Sequence, residues 1–260
     1  MHNLPASLKP SLSNGGEVTR INEQTWRLAI PAGPARSYRL AQLDDYSALP
    51  RRRFAWQPGL SLVLQARSSD MESPGTWGFG LWNDPFSMGI LGGGALLRLP
   101  ALPNAAWFFF ASPQNYLSLR DDLPSQGSLA SAFCTPRWPS ALLALGAPVL
   151  PLLAIPAIVR LVRRLGRRIV RQAAAALPVY PTEWHTFRIE WISNLTSYQV
   201  DGQTVLQTSF SPLGPLGLVI WIDNQYAALL PSGRMHYGML PTSEPAWIEV
   251  RDLEITSNTL

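Results

Sequence analysis

The chain has 260 residues, of which 47% are hydrophobic, 15% are charged and ten are tryptophan. This composition excludes a largely disordered chain, because there is ample apolar surface for a core. The net charge is +4, but seven of the 21 basic residues and no acid lie between Arg137 and Pro178. The remaining 14 basic residues face 17 acids, so the positive charge belongs to that one segment.

Residues 1–16 are polar and rich in Pro, Ser and Gly, and they lack the charged and apolar regions of a secretory signal. We therefore predict a disordered leader over 1–16, a single domain over 17–260 and a cytoplasmic location. One cysteine, Cys134, cannot form an internal disulfide. No metal-ligand spacing or cofactor fingerprint occurs, so we predict neither a metal nor a cofactor. The sequence indicates no oligomeric state.

Short runs rich in aromatic and β-branched residues, separated by Pro and Gly, follow along the chain. Their spacing predicts an all-β sandwich of two antiparallel sheets. The runs are residues 25–30, 61–66, 75–82, 106–111, 185–192, 196–200, 216–222 and 247–255.

Two of these runs lead into polar turns that carry aromatic rings. Amide and carboxylate groups beside aromatic rings can hold a sugar or a polycyclic ligand by stacking and hydrogen bonding. Asn and Asp also form turns through their own backbone, and both interpretations stay open. The residues are Trp82, Asn83 and Asp84 in the first turn, and Asp223, Asn224 and Tyr226 in the second.

Residues 139–177 interrupt the strand pattern as an apolar and arginine-rich insertion. The uncharged stretch 141–159 is long enough for a membrane span, but Pro148, Pro151 and Pro156 break it, so we predict no span. Residues 158–175 have helical periodicity with two opposite faces. The arginine face holds Arg160, Arg163, Arg164, Arg167, Arg168 and Arg171; the apolar face holds Ile158, Leu161, Val162, Leu165 and Ile169.

This amphipathic pattern fits two compatible interpretations. In the first, the apolar face, including Leu161, Leu165 and Ile169, packs over the sandwich as a lid. In the second, the helix lies on an anionic membrane at its inner surface, which its arginines would favour. Nucleic acid is disfavoured as a partner because the rest of the chain is acidic.

The strongest hairpin signal is Asp201-Gly202, which lies between two alternating runs. In the run before it, Phe187, Ile189 and Trp191 are expected to share one face of a strand.

Four segments carry a family resemblance. They are WHTFRIEW at 184–191, YQVDG at 198–202, WIEVRDLEI at 247–255 and GTWGFGLW at 75–82. Together they resemble the strands of family 16 glycoside hydrolases, the laminarinase and β-glucanase group. The resemblance implies a concanavalin A-like jelly roll whose concave sheet forms a ligand cleft.

The catalytic carboxylates of that family have no counterpart at the corresponding place. Retaining hydrolysis needs two carboxylates roughly 5 Å apart, which an alternating acidic strand supplies. Here the segment is Trp-Phe-Phe-Phe-Ala at 107–111, with no acid between Arg98 and Arg120. We therefore do not expect standard retaining glycosidase chemistry. Aromatic residues are expected to line the cleft instead: Trp77, Trp82, Trp107 and Phe109.

Three classes of function remain open. We favour a protein that holds a hydrophobic small molecule in the aromatic cleft under the inserted helix. Such a protein could also isomerise or cyclise its ligand with a single acid, for which Asp84 is the candidate. Whether the protein is an enzyme stays open. The alternatives are a lectin-like glycan-binding module or divergent β-glucan hydrolase, and a membrane-peripheral structural domain.

Overall fold

The computed structural model describes residues 8–85, 98–122, 125–140, 143 and 152–257. Its strands are β1 Lys9–Ser13, β2 Glu17–Arg20, β3 Thr25–Ile30, β4 Leu40–Asp44, β5 Leu60–Ser68, β6 Thr76–Trp82, β7 Ala105–Ala111, β8 Gly127–Cys134, β9 Arg171–Ala176, β10 His185–Ile192, β11 Leu195–Val200, β12 Gln203–Thr208, β13 Gly217–Asp223, β14 Gln225–Leu229, β15 Met235–Met239 and β16 Ala246–Ser257. Helix α1 spans Pro156–Ile169, and a 3-10 turn covers Arg51–Arg53.

Two seven-stranded antiparallel sheets form the sandwich. The first sheet has the order β1-β4-β13-β6-β7-β8-β9, and the second has the order β12-β11-β10-β5-β16-β3-β2. Strands β14 and β15 form a separate two-stranded ribbon. The predicted jelly-roll sandwich of two antiparallel sheets with a helical insertion is confirmed.

The core lies between the two sheets. From the first sheet it receives alternate residues of the five central strands, such as Phe79 of β6, Phe108 of β7 and Ile220 of β13. From the second sheet it receives Phe187, Ile189 and Trp191 of β10, which are 2%, 1% and 0% exposed. The strict alternation of β10 therefore directs these three side chains to one face, as predicted.

The Asp201-Gly202 hairpin is also confirmed. Asp201 and Gly202 have φ angles of +49° and +79°, and they join β11 to β12. Both residues adopt positive φ, as the tight turn that matches the twist of a hairpin requires.

The predicted leader is wrong over residues 9–16. Strand β1 pairs antiparallel with β4, from Lys9 opposite Asp44 to Ser13 opposite Leu40. Its sequence, Lys-Pro-Ser-Leu-Ser, lacks a strand pattern, so backbone hydrogen bonds to β4 define this edge strand. The first sheet thus begins before residue 17, and residues 1–7 lie outside the described part.

The predicted helix is too long at its C-terminal end. Helix α1 ends at Ile169, and residues 171–176 form strand β9, which pairs with β8 from Leu129 to Cys134. Four alanines continue the helical pattern in the sequence, but in the structure their backbone forms hydrogen bonds with the edge of β8 instead. Most of the uncharged stretch 141–159 lies outside the described residues, and within those residues no helix has the length and apolarity needed to cross a bilayer.

Candidate functional site

The candidate site is the outer face of the first sheet, the face that points away from the second sheet. Its strands contribute the residues that alternate with the core residues. The outer face of a sandwich sheet is ordinarily polar, but here it forms a second apolar cluster. The buried members are Leu40, Tyr46, Phe54, Trp82, Ala105, Phe109, Leu129, Phe133, Val170, Val219 and Trp221.

Trp107 lies at the centre of this outer face. Four aromatic rings surround it at centroid distances of 5.7 to 5.8 Å: those of Trp82, Phe109, Phe133 and Trp221. These four side chains are 6 to 9% exposed. Trp107 itself is only partly buried, so it is one of the residues of this cluster that remain open to solvent.

Two glycines of β6 allow the tryptophans to meet. Gly80 lies opposite Trp107 on β7, and Gly78 lies opposite Trp221 on β13. A Cβ at Gly80 would lie 2.7 Å from the Cβ of Trp107, and one at Gly78 would lie 2.8 Å from Cη2 of Trp221. The glycines therefore leave the middle of the sheet clear for the two indole rings, whose centroids are 5.7 Å apart.

A chain of hydrogen bonds joins the aromatic cluster to a buried acid. The indole Nε1 of Trp221 donates to the hydroxyl of Thr76 at 3.0 Å, and this hydroxyl donates to Oδ1 of Asp223 at 2.9 Å. The backbone N–H groups of Thr76 and Gln225 also donate to Asp223. Burial raises the pKa of Asp223 from 3.8 to about 7, although these hydrogen bonds act in the opposite direction.

Tyr38 flanks the same acid. Its pKa is raised well above 10.0, first by burial and then by the negative charge of Asp223. At neutral pH, a carboxyl group with a pKa near 7 can either donate or accept a proton. The outer face thus has an aromatic centre and, at one end, a titratable edge.

The structure brings together only some of the residues predicted from the sequence. Trp82, Trp107 and Phe109 lie in one cluster, and Asp223 lies at its edge. Trp221 and Phe133 were not predicted. Trp221 could have been found, since it is two residues before Asp223 and therefore on the same face of the strand; no sequence signal singles out Phe133.

The placement of Trp77 in the cleft was wrong. Trp77 belongs to the core between the sheets, where its ring stacks on Phe110 at a centroid distance of 3.6 Å. It shares the inner face of β6 with Phe79 and Leu81, because residues two apart in a strand point the same way.

The environment of Asp84, the predicted catalytic acid, indicates a structural role. Its side chain is 2% exposed, and its Oδ2 forms an ion pair of 2.5 Å with Arg98, which is itself buried. Arg51 donates to the backbone carbonyls of Asn83 and Asp84. The Asn83 side chain donates to Leu102 O at 2.8 Å. These contacts anchor the chain where it leaves β6.

The other two polar candidates lie away from the aromatic cluster. Asn224 is fully buried and bonds to the backbone of two segments, at Ser37 and Arg39 in one and at Leu240 in the other. Tyr226 lies on β14 and packs against Gly238 of β15. Asn224 therefore ties loops together and does not face the candidate site.

Helix α1 does not place its predicted apolar face on the sandwich. Val159 and Arg163 are its buried residues, whereas Leu161 and Leu165 are 47% and 46% exposed. The side of α1 that contacts the rest of the protein lies between its apolar face and its arginine face. Arg163 on this side donates hydrogen bonds to backbone carbonyl groups of the loop after β7. The outer-face cluster contains Val170, which directly follows α1, but no residue of the helix itself.

No protein-family model matches this chain, and no curated protein is similar to it by sequence. Among solved structures, it is similar to a glycoside hydrolase family protein from Mycobacterium thermorestibile, with 13% identity, 92% of this chain and 79% of that chain covered, and a TM-score of 0.45. It is also similar to the β-glucanase of Bacillus licheniformis, with 11% identity, coverage of 98% and 94%, and a TM-score of 0.47. A family 16 glycosyl hydrolase from Mycobacterium smegmatis has 11% identity, coverage of 92% and 78%, and a TM-score of 0.45. These similarities concern the fold, and they assign no residue of the outer face.

Proposed function

We propose that the outer face of the first sheet binds a small apolar or aromatic molecule against Trp107. The observation that carries this proposal is the partly exposed indole of Trp107 at the centre of four aromatic rings. Apolar surface of this kind on the outside of a sandwich, rimmed by a few polar groups, is typical of ligand sites.

The ligand should carry one hydrogen-bonding group at its Asp223 end. With a pKa of about 7, Asp223 is present in both protonation states at neutral pH, so it can donate to a carbonyl or accept from a hydroxyl. If the protein catalyses an isomerisation or a cyclisation, Asp223 is a better proton-transfer group than Asp84, whose carboxylate is held by Arg98.

Asp44 and Asp223, two described carboxylates at the outer face, are too far apart to act as the carboxylate pair of a glycoside hydrolase. Asp44 of β4 pairs with Val219, which lies four residues from Asp223 along β13. At about 3.4 Å per residue, the two positions are separated by about 14 Å along the strand direction. Retaining enzymes need about 5 Å and inverting enzymes need about 6.5 to 9.5 Å between their carboxyl groups.

A neutral hydrophobic dye tests the proposal. Nile red should bind the wild type with enhanced fluorescence, and Trp107→Ala should bind it at least about tenfold more weakly, because the central ring is lost. The matched control is the double variant Leu161→Ser/Leu165→Ser, which removes exposed apolar surface elsewhere and should bind the dye normally. Native mass spectrometry of the purified protein should then reveal the natural ligand as a retained mass.

The possible outcomes separate the alternatives. Unchanged dye binding by Trp107→Ala would overturn the proposal. If β-glucan oligosaccharides displace the dye and a β-glucan column retains the protein, the ligand of this face is a glycan and not an apolar molecule.

Contact with an anionic membrane is a second candidate function. Leu161 and Leu165 are exposed beside arginines on α1, and Leu152 and Ile155 just before the helix are 44% and 48% exposed. An apolar row next to dense positive charge is typical of helices that lie at a membrane surface.

A further inference from the structure

A groove lined by arginines lies between α1 and the turn that joins β14 to β15. The cavity has a volume of about 420 Å³. Its lining residues are Arg160, Arg163, Arg164, Arg167, Arg168 and Pro231. The turn approaches α1 closely at Gly233, where a Cβ would lie 2.3 Å from the carbonyl oxygen of Pro156.

The positive charge of this groove is largely uncompensated. Asp121 is the acid that pairs with it, at 2.6 Å from both Arg163 and Arg167. Within the described ranges, Arg164 and Arg168 have neither an ion pair nor a hydrogen bond from their side chains. Five guanidinium groups therefore face one carboxylate, and arginines four residues apart on a helix repel each other.

The floor of the groove is preorganised. The side chain of Arg163 is 1% exposed, and it donates to the carbonyl oxygens of Ser118 at 2.9 Å and of Leu119 at 3.2 Å, as well as to Leu229 O and Asp121. Arg160 donates to Ser232 O at 3.0 Å, which fixes the opposite side. A ligand would thus meet arginines that are already partly ordered, which lowers the entropic cost of binding.

We infer that this groove binds a ligand that carries two adjacent phosphate groups or a dianionic phosphate. A guanidinium group matches phosphate oxygens with two parallel hydrogen bonds, and a multivalent anion is needed to offset four excess charges. The phosphate can come from a soluble polyphosphate or from a lipid headgroup. The exposed Leu161 and Leu165 beside the groove favour the lipid. This inference is independent of the ligand proposed for the outer face.

Calorimetry with pyrophosphate at fixed ionic strength tests the site. Arg164→Glu/Arg168→Glu should weaken binding at least about tenfold, since basic residues near a phosphate each contribute appreciably. The matched control Arg36→Glu/Arg53→Glu makes the same charge change at exposed arginines elsewhere and should bind normally. Arg164→Lys/Arg168→Lys keeps the charge but loses the paired hydrogen bonds, so its affinity should be intermediate.

Vesicle flotation separates the two sources of phosphate. Phosphatidylcholine vesicles with phosphatidylinositol 4-phosphate are compared with vesicles of equal net charge that contain phosphatidylserine. If the protein prefers the phosphatidylinositol 4-phosphate vesicles and pyrophosphate abolishes this preference, the ligand is a lipid headgroup. If the protein binds pyrophosphate but does not float with vesicles, the ligand is soluble and the lipid source is overturned. If the protein floats equally with both kinds of vesicle and does not bind pyrophosphate, it contacts anionic membranes, but the proposed phosphate site is overturned. The absence of any binding, or equal losses in the control variant, would also overturn it.

Discussion

The two faces of the first sheet carry aromatic residues in alternation along the same strands, yet they differ in how far they are closed to solvent. On the inner face, Trp77 and Phe110 stack at 3.6 Å with an angle of 4° between their rings. On the outer face, the rings around Trp107 lie 5.7 to 5.8 Å away at angles from 24° to 73°. Aromatic content is therefore similar on both faces, but only the outer one presents a ring that is partly open to solvent.

The largest effect should come from truncating the inner face. Phe108 is fully buried and contacts the rings of Phe79, Phe187 and Tyr198. Phe108→Ala should lower the free energy of unfolding by about 3 to 5 kcal/mol, because it leaves a cavity in a close-packed core. Trp107→Ala should cost about 1 to 2 kcal/mol, as its side chain is partly exposed. Urea denaturation measures both, and equal losses would show that both faces are closed cores.

The second effect concerns the acidic edge of the outer face. The pKa of Asp223 is raised from 3.8 to about 7 in the folded protein, so the protonated form is favoured by folding. Stability from this group is complete below pH 3.8 and is lost as the pH rises to 7, by up to about 4 kcal/mol. Asp223→Asn should remove this part of the decline while keeping an acceptor for Thr76.

Denaturation of the wild type and Asp223→Asn between pH 4 and pH 8 checks the prediction. Asp45 has a pKa raised to about 6, mainly by burial, so Asp45→Asn is a control whose effect should be confined to lower pH. Parallel stability profiles for the wild type and Asp223→Asn would contradict the assignment of Asp223 as the titratable edge.

The smallest effect on stability is expected outside both faces. Leu161→Ser/Leu165→Ser changes side chains that are 47% and 46% exposed, so the free energy of unfolding should change by less than about 0.5 kcal/mol per site. Flotation on anionic vesicles should nevertheless fall, since these leucines form the apolar part of the exposed helix face. A large loss of stability would indicate that the leucines pack as a lid after all.

The sequence predicted much of the second sheet and half of the candidate site. Strand β10 and its hairpin could be predicted because alternation and Asp-Gly chemistry are local. The pairing of Trp107 with Phe109 followed from the same alternation. The edge strands β1 and β9 could not be predicted, because their sequences have no strand pattern and only the neighbouring backbone selects them.

By itself, the sequence determined that residues 107–110 are aromatic and that, in a strand, their rings alternate between two faces. Only the tertiary structure decided which face meets the second sheet, and so placed Trp77 in the core and Trp221 beside Trp107. It also decided that α1 buries Arg163 and exposes Leu161, since carbonyl groups distant in the chain accept from that arginine. Periodicity defines the faces of an element, whereas the partners that those faces meet depend on contacts far apart in sequence.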